Sequence, residues 1–257
     1  MGGLKKLVGG GLKRFGYEIV NIKSRARPNP PELSESDLEL VAEVLERKLT
    51  MGGFLRLVNT LKACRYVVEN DIPGDFVECG VWRGGHSILA KKIFQNMGSK
   101  KRVLMFDTFE GMVEPTDEDV ATMTGQPAMS RYASTLVGGR SDWCHSPLDD
   151  VWENCRALDL DMSGVDLIKG DVMETLSNPQ NLPDHISVLR LDTDWYQSTR
   201  RELEVLYPVL SAKGVLIIDD YGHWDGSRKA VDDYFATVGD APLFNVVDYT
   251  ARSAVKT

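Results

Sequence analysis

Cysteine is scarce in this sequence, and its spacing excludes two kinds of site. The chain has four cysteines in 257 residues, and no two of them stand in the C-x-x-C pattern. Neither a zinc motif nor a disulfide framework is visible, so we expect a reduced setting and predict a cytoplasmic protein. Long hydrophobic runs are absent too, since none reaches the roughly 20 apolar residues that a membrane span needs.

Positive charge is also in deficit. Lysine and arginine number 30 against 38 aspartates and glutamates, which gives a net charge of −8. This balance argues against general nucleic-acid binding, because a phosphate backbone has to be neutralised by cations. The deficit is uneven, since residues 1–28 carry seven lysines and arginines and one glutamate. We interpret residues 1–30 as a basic N-terminal arm that is flexible or loosely docked; contact with an anionic membrane surface or a partner is the alternative.

The sequence does contain a regular alternation of strand-like and helix-like segments after residue 74. The strand-like segments are rich in Val, Ile and Leu with little polar alternation, as strands buried on both faces are. We predict strands over 75–80, 102–107, 165–171, 186–192 and 214–220, and helices over 84–95, 196–207 and 225–236. Strands that alternate with helices predict an α/β fold with a doubly wound, mostly parallel sheet.

Two other regions depart from this alternation. Residues 31–72 hold two helical patterns, the first capped by Ser34 or Ser36 and the second over 53–69. Residues 110–145 show no clear period, and a stretch of this length inside a compact domain is usually a functional lid or disordered. We interpret 110–145 as a lid insertion, followed by a helix that begins after Ser146.

Acidic residues follow nearly every predicted strand. In open α/β sheets, ligands bind beyond the carboxyl ends of the strands, so these residues are candidates for a binding site. Capping of the following helices is the alternative explanation for any single one of them. The set consists of Glu78, Asp107, Asp171, Asp192, Asp194, Asp219 and Asp220.

The turn after the first strand reads "ECGVWRGGHS" (78–87). Its glycines let the backbone approach a ligand at a helix N-terminus, although the pattern is not the G-x-G-x-x-G of dinucleotide sites. The second strand ends in Asp107, and an acid there can accept hydrogen bonds from two ribose hydroxyls. Together these features indicate a nucleoside ligand and do not require a pyrophosphate.

Asp192, Asp219 and Asp220 end two strands that could be neighbours. Three carboxylates at close range stay ionised only beside a cation, and all-oxygen ligation suits Mg²⁺, Mn²⁺ or Ca²⁺. Asp194 lies two residues beyond Asp192 and could act as a general base without being a ligand. His145 and His223 are further candidates for a catalytic role. Arg190 interrupts a strand that should be buried, and we expect it to form a buried ion pair.

Five motifs give the sequence a recognisable family likeness: "PGDFVECGVWRGG", "FDTFEGM", "KGDV", "LRLDTDWYQST" and "KGVLIIDDYG". Between about residues 49 and 247, the sequence resembles the macrocin/mycinamicin-type sugar O-methyltransferases, which use S-adenosylmethionine and Mg²⁺. The resemblance implies a class I methyltransferase fold with a seven-stranded Rossmann-like sheet. It also implies that residues 31–257 form one methyltransferase domain, with 31–72 as a helical cap and 110–145 as the lid.

The resemblance implies roles for particular residues as well. Glu78, Gly80 and Gly84 would line the methionine and ribose part of the donor, Asp107 would bind the ribose, and Gly170 and Asp171 would lie near the adenine. Asp192, Asp219 and Asp220 would be the metal ligands, with Asp194 as the base beside the catalytic Asp192.

We therefore expect a methyltransferase that acts on a hydroxyl of a sugar or glycosylated small molecule, with a homodimer or higher homo-oligomer as its expected assembly. A catechol-type O-methyltransferase, which would use a metal ion in the same way, is the first alternative. A catalytically silent nucleoside-binding protein is the second. An NAD-dependent dehydrogenase is the third, and the missing glycine fingerprint counts against it.

Overall fold

The computed structural model describes residues 29–257. The chain divides into two compact units, Met1–Glu39 and Leu40–Thr257. Because the described residues start at 29, the predicted basic arm over residues 1–30 lies outside them except for its last two residues. In the first unit, Ser34 caps the helix that follows, as predicted. Its Oγ accepts the Asp37 N–H at 3.2 Å, and Asp37 Oδ2 accepts the Ser34 N–H at 2.8 Å.

The described residues form helices that agree closely with the sequence pattern. They are α1 Glu35–Glu46, α2 Phe54–Glu69, α3 Gly85–Asn96, α4 Ala128–Ser134, α5 Leu148–Ala157, α6 Val172–Thr175, α7 Tyr196–Leu206 and α8 Asp225–Val238, with a 3₁₀ turn at Pro179–Asn181. The strands are β1 Asp75–Cys79, β2 Val103–Asp107, β3 Leu136–Val137, β4 Arg140–Ser141, β5 Val165–Lys169, β6 Ile186–Leu191, β7 Leu210–Ile218, β8 Asn245–Val246 and β9 Arg252–Val255.

Seven of these strands form one sheet in the order β5-β2-β1-β6-β7-β9-β8. The first five run parallel, and β9 is antiparallel to both of its neighbours. The strand order reverses between β1 and β6, because β2 and β5 lie on one side of β1 and the later strands on the other. Ligands of doubly wound sheets bind at such a switch point. The predicted doubly wound, mostly parallel, seven-stranded sheet is confirmed.

The core explains why the strands could be recognised. Every residue of β6 is buried, and its aliphatic side chains pack with those of β1, β2 and β7 in one hydrophobic cluster. Strands buried on both faces read as continuous apolar runs, which is the pattern the sequence shows. Arg190 is the charged exception within β6, with an exposed fraction of 1%.

Residues 110–145 differ from the irregular stretch that the sequence indicates. They contain α4 and a small hairpin formed by β3 and β4. Trp143 packs edge-on or tilted against Trp195 and Trp224, with ring centroids 5.5 and 6.0 Å away. The carboxylate of Asp119, which is fully buried, accepts the backbone N–H of Tyr196 at 2.8 Å. The segment is thus docked on the loops that follow β6 and β7.

All four cysteines are free, in agreement with the absence of a disulfide framework. In the part of the chain that the structure describes, no helix combines the length and the apolar character needed to cross a membrane.

Candidate functional site

Two adjoining cavities open at the carboxyl ends of β1 and β6. We call one the apolar cavity; its walls include Gly80, Phe106, Asp107, Met112, Val113, Gly170, Asp171 and Val172. The other is the charged cavity; its walls include Arg56, Glu78, His86, Arg131, Asp219, Asp220, His223 and Tyr249. Their empty volumes, open solvent included, are about 680 and 910 Å³, within the usual size range of ligand sites. Met51, Trp82, Cys144, Asp192 and Asp194 line both.

The turn after β1 shapes the apolar cavity through its backbone. Gly80 has φ of 80°, and a Cβ there would lie 2.1 Å from the carbonyl oxygen of Asp192. Only glycine fits so close an approach of two strand ends. Gly84, with φ of 86°, precedes α3 and faces Val151, so it lines neither cavity. The predicted role of Gly84 at the donor therefore stays a prediction.

Asp107 holds this turn in place. Its carboxylate accepts the backbone N–H groups of Val81 at 2.8 Å, Trp82 at 3.0 Å and Phe109 at 2.7 Å. Burial raises the pKa of Asp107, and these three hydrogen bonds oppose that rise by favouring the ionised form. Asp107 also lines the apolar cavity, so a ribose contact stays a prediction that would have to use the remaining lone pairs of its oxygens.

Gly170 and Asp171 line the apolar cavity where β5 ends. Asp171 caps α6 by accepting the Met173 N–H at 2.9 Å, so the capping explanation holds for this acid. Their predicted place near the adenine remains a prediction.

Arg190 provides the buried ion pair that the sequence led us to expect. Its guanidinium donates to Glu78 Oε1 at 2.7 Å, to Asp192 Oδ2 at 2.6 Å and to Asp219 Oδ1. Glu78 also accepts a hydrogen bond from Ser87, and burial raises its pKa to about 7 against the opposing effect of Arg190. Glu78 lines the charged cavity and not the apolar one, and its predicted place beside the donor stays a prediction.

Both carboxylate oxygens of Asp219 accept hydrogen bonds from arginines. Oδ1 accepts from Arg190 and Oδ2 from Arg56, and Arg56 also donates to Asp248 Oδ2 at 2.8 Å. Asp219 does line the charged cavity. Because a carboxylate oxygen has two lone pairs, one can accept from an arginine while the other faces a cation, so Asp219 stays a predicted metal ligand.

Three other carboxylates come together at the junction of the cavities. One oxygen each of Asp192, Asp194 and Asp220 lies within 4.8 Å of the others. Asp220 Oδ2 is buried and has no hydrogen-bond partner in the described part of the chain. Burial and the charges of neighbouring carboxylates raise the pKa of all three, and that of Asp194 to about 7. A partly buried, all-oxygen group of this kind fits Mg²⁺ or another hard divalent cation, which would remove the repulsion.

Backbone strain marks the same junction. Asp194, Trp82 and Cys144 have φ of 69°, 46° and 55°, in the left-handed region that non-glycine residues rarely occupy. Such conformations persist where the surrounding structure holds them, and they cluster at functional sites. Trp224 Nε1 donates to Asp194 Oδ2 at 3.1 Å, which fixes the orientation of that carboxylate.

Several site residues escaped sequence analysis. Trp82 and His86 reach the charged cavity from the 78–87 turn, which sequence analysis singled out for its glycines and not for these two side chains. Arg56 and Trp224 reach it from other segments and gave no signal. Of the two histidine candidates, His223 lines the charged cavity and bonds the Tyr249 hydroxyl at 3.1 Å. His145 pairs with Asp142 at 3.3 Å and lines neither cavity.

Known proteins resemble this chain over most of its length. The 8-demethyl-8-(2,3-dimethoxy-alpha-L-rhamnosyl)-tetracenomycin-C 4'-O-methyltransferase of Streptomyces olivaceus is 35% identical over 202 residues, which cover 78% of this chain and 73% of that one. Mycinamicin III 3''-O-methyltransferase of Micromonospora griseorubida is 32% identical over 186 residues, which cover 72% and 69%.

Solved structures agree with the sequence relatives. The O-methyltransferase NovP superimposes with a TM-score of 0.71 at 31% identity, covering 81% of this chain and 82% of that one. The calicheamicin methyltransferase CalS11 shares the fold, with a TM-score of 0.62 at 20% identity over 93% of this chain and 98% of that one. The sequence profile of the macrocin-O-methyltransferase (TylF) family matches residues 15–253. This chain belongs to that family and is an S-adenosylmethionine-dependent O-methyltransferase with the class I fold.

Proposed function

We propose that this enzyme transfers a methyl group from S-adenosylmethionine to a hydroxyl of a sugar or glycosylated small molecule, with Mg²⁺ as its metal. The observation that carries the proposal is the position of Asp192 and Asp194, which line both cavities. A carboxylate at the junction of a donor cavity and an acceptor cavity lies where the reacting hydroxyl has to be oriented and deprotonated.

The apolar cavity suits the donor. Gly80, Gly170, Asp107 and Asp171 line it at the carboxyl ends of β1, β2 and β5, where doubly wound folds bind nucleosides. Its apolar walls would cover the adenine. The charged cavity would then receive the acceptor.

Asp192 and Asp220 belong both to the ligand set predicted from the sequence and to the carboxylate group at the junction. We propose these two as metal ligands, with Asp219 as the predicted third. When bound, the cation would lower the pKa of an acceptor hydroxyl and fix its orientation. The partnerless Oδ2 of Asp220 supports this assignment, because a buried carboxylate oxygen without a partner is costly unless a ligand satisfies it.

Asp194 is the proposed general base. Its carboxylate lies at the junction of the two cavities, and Trp224 Nε1 holds it in place by donating to Oδ2 at 3.1 Å. The acceptor O–H gives its proton to Asp194 as the oxygen bonds the methyl carbon. The S–CH₃ bond breaks with its electron pair on sulfur, which leaves the neutral thioether S-adenosylhomocysteine.

The sugar acceptor is supported by the relatives, two of which carry names that place methylation on a glycosylated compound. We also propose that the enzyme acts in the cytoplasm as a homodimer or higher homo-oligomer. The four free cysteines agree with a reducing compartment.

The test is calorimetric titration of S-adenosylmethionine with and without Mg²⁺, followed by methyl transfer to glycosides and to catechols. We expect donor binding in both conditions and transfer to glycosides that requires Mg²⁺. Transfer to catechols alone would favour the catechol-type alternative, and a failure to bind the donor would contradict the proposal.

The variant Asp194→Asn separates the two roles that the structure allows for Asp194. As the base, it should lose turnover by about 10²- to 10⁴-fold while metal and donor still bind. As a metal ligand, it should lose Mg²⁺ affinity together with turnover. Full activity would remove Asp194 from the mechanism.

A further inference from the structure

Among the described residues that line the charged cavity, one arginine forms no ion pair with a carboxylate. Arg131 belongs to α4 and lines this cavity. Its guanidinium carbon lies 4.4 Å from the ring centroid of Trp143, which is 6% exposed and packs against Trp195 and Trp224. The platform beneath the guanidinium is therefore fixed. A guanidinium stacked on an aromatic ring keeps its N–H edge free for other partners.

Two other arginines near the cavity are paired with carboxylates. Arg56 donates to Asp219 and Asp248, and Arg190 donates to Glu78, Asp192 and Asp219. Over residues 29–257, by contrast, none of the ion pairs includes Arg131. An arginine at the wall of a binding cavity that has no ion-pair partner can bind an anionic group of the ligand.

The charge of Arg131 reaches the interior of the cavity. Burial lowers the pKa of His223, and the positive charges of Arg56 and Arg131 lower it further. His223 lines the same cavity. It lies beside Tyr249, whose hydroxyl is 3.1 Å from His223 Nδ1. Within the described part of the chain, this side of the charged cavity holds Arg131, a cation with no ion-pair partner, together with His223 and Tyr249.

Two indole rings separate this cation from the proposed base. Arg131 stacks on Trp143, Trp143 contacts Trp224 with centroids 6.0 Å apart, and Trp224 Nε1 bonds Asp194 at 3.1 Å. A ligand that spans both rings would present a hydroxyl at one end and its anion at the other.

We propose that the natural acceptor carries an anionic group, a carboxylate or a phosphate, which Arg131 binds while a separate hydroxyl is methylated. The inference deepens the proposed function and rests on it. Planar N–H donors of arginine match carboxylate and phosphate oxygens, and a bidentate contact gives position as well as affinity.

The experiment compares three acceptors in the presence of S-adenosylmethionine and Mg²⁺: methyl glucoside, methyl glucuronide and glucose 1-phosphate. We expect the wild type to show at least a tenfold higher kcat/KM, mostly through KM, for one of the two anionic acceptors. Preference for the glucuronide assigns a carboxylate, and preference for the phosphate assigns a phosphate. In Arg131→Gln, the ratio of anionic to neutral acceptor should fall close to one.

Arg140→Gln is the matched control. Arg140 lies on β4 in the same 110–145 segment, is exposed and lines neither cavity, so its replacement should leave the acceptor ratio unchanged. Arg131→Lys keeps the charge but loses the planar fork and should retain part of the ratio. Thermal unfolding of each variant detects a purely structural role of the Arg131–Trp143 stack.

Equal use of the neutral and anionic acceptors by the wild type would overturn the proposal, and so would an unchanged ratio in Arg131→Gln. If none of the three is methylated, calorimetric binding of methyl glucuronide and glucose 1-phosphate decides. Binding that Arg131→Gln abolishes supports the anion site, and no binding overturns it. Failure to bind S-adenosylmethionine would instead contradict the proposed function, so the two failures are distinguishable.

Discussion

The two cavities of this enzyme are built in different ways. The apolar cavity is shaped by backbone turns at the carboxyl ends of β1, β2 and β5, and by the close approach of Gly80 to Asp192. The charged cavity is held by ion pairs between distant segments: Arg56 and Asp248 are 192 positions apart, and Arg190 and Glu78 are 112 apart. The apolar cavity thus depends on local chain geometry, and the charged cavity on long-range electrostatic pairing.

Each kind of construction has its own weak point. A buried ion pair contributes little net stability compared with apolar packing, but the loss of one partner leaves an uncompensated charge. A backbone contact tolerates most side-chain changes nearby but no added atom at the contact. Substitutions can therefore damage one cavity at a time.

Replacing Arg190 should have the largest effect, and it should act on the charged cavity. Arg190→Met leaves Glu78, Asp192 and Asp219 without their shared cation, so we expect a loss of about 3–5 kcal/mol in the free energy of unfolding. Denaturant titration measures it. The control is Arg102→Met, because Arg102 pairs with Asp166 at exposed fractions of 48% and 43%, where the loss should stay below about 1 kcal/mol. Equal losses of unfolding free energy in Arg190→Met and Arg102→Met would mean that burial does not determine how much an ion pair matters for stability.

Adding a methyl group at Gly80 tests the apolar cavity. Gly80→Ala places a Cβ against the Asp192 carbonyl, whereas Gly98, with φ of 67°, has no atom within 4 Å of its Cβ position. Both alanines have the left-handed backbone penalty of about 1–2 kcal/mol, and only Gly80→Ala adds the clash. We expect Gly80→Ala to lose at least about 2 kcal/mol more than Gly98→Ala, and to lose S-adenosylmethionine binding as well. Similar stability and donor binding in the two variants would contradict the close approach.

A smaller, pH-dependent effect is expected at Glu202 below the apolar cavity. Glu202 is fully buried with Oε2 lacking a partner in the described part of the chain, and burial raises its pKa well above the ordinary 4.5. The folded protein then keeps a proton that the unfolded chain releases above about pH 4.5. Its contribution to stability is complete below that pH and falls as pH rises towards the folded-state pKa.

Glutamine does not titrate, so the stability of Glu202→Gln should not fall with rising pH for this reason. The wild type should lose stability relative to the variant between pH 5 and pH 8, by up to about 1.4 kcal/mol per pH unit. Denaturant titrations at the two pH values measure the difference. If the difference in unfolding free energy between the wild type and Glu202→Gln is the same at both pH values, Glu202 is ionised in the folded protein. Thr193 bonds Glu202 Oε1 at 2.8 Å, so the activity of Glu202→Gln also reports whether this contact positions the wall of the apolar cavity.

The sequence predicts the apolar cavity better than the charged one for a physical reason. Burial on both faces makes β1, β2, β6 and the second half of β7 mostly apolar, and glycine marks the turn after β1. Hydrophobic patterning is local and can be read from a single sequence. Pairing of Arg56 with Asp248 depends on where chain segments meet, which no local pattern records.

Segment 110–145 shows the same limit. Its helix α4 has seven residues, and each strand of its hairpin has two, which is too short to create a period. What orders it is the packing of Trp143 on Trp195 and Trp224, two side chains that lie far away in sequence. The missing periodicity led us to predict a lid insertion, but the sequence does not show where this segment packs against the rest of the chain.

The most direct test of the central claim is titration of Mn²⁺, as a probe for Mg²⁺, into the wild type and Asp220→Asn. Within the described part of the chain, Asp220 has a buried oxygen without a partner at the junction of the cavities, so its amide variant removes one proposed ligand without removing volume. We predict one cation site per chain in the wild type, at least tenfold weaker binding in Asp220→Asn, and a matching loss of methyl transfer. Equal Mn²⁺ affinity in the two proteins, or full transfer without any divalent cation, would contradict a metal-assisted reaction at these carboxylates.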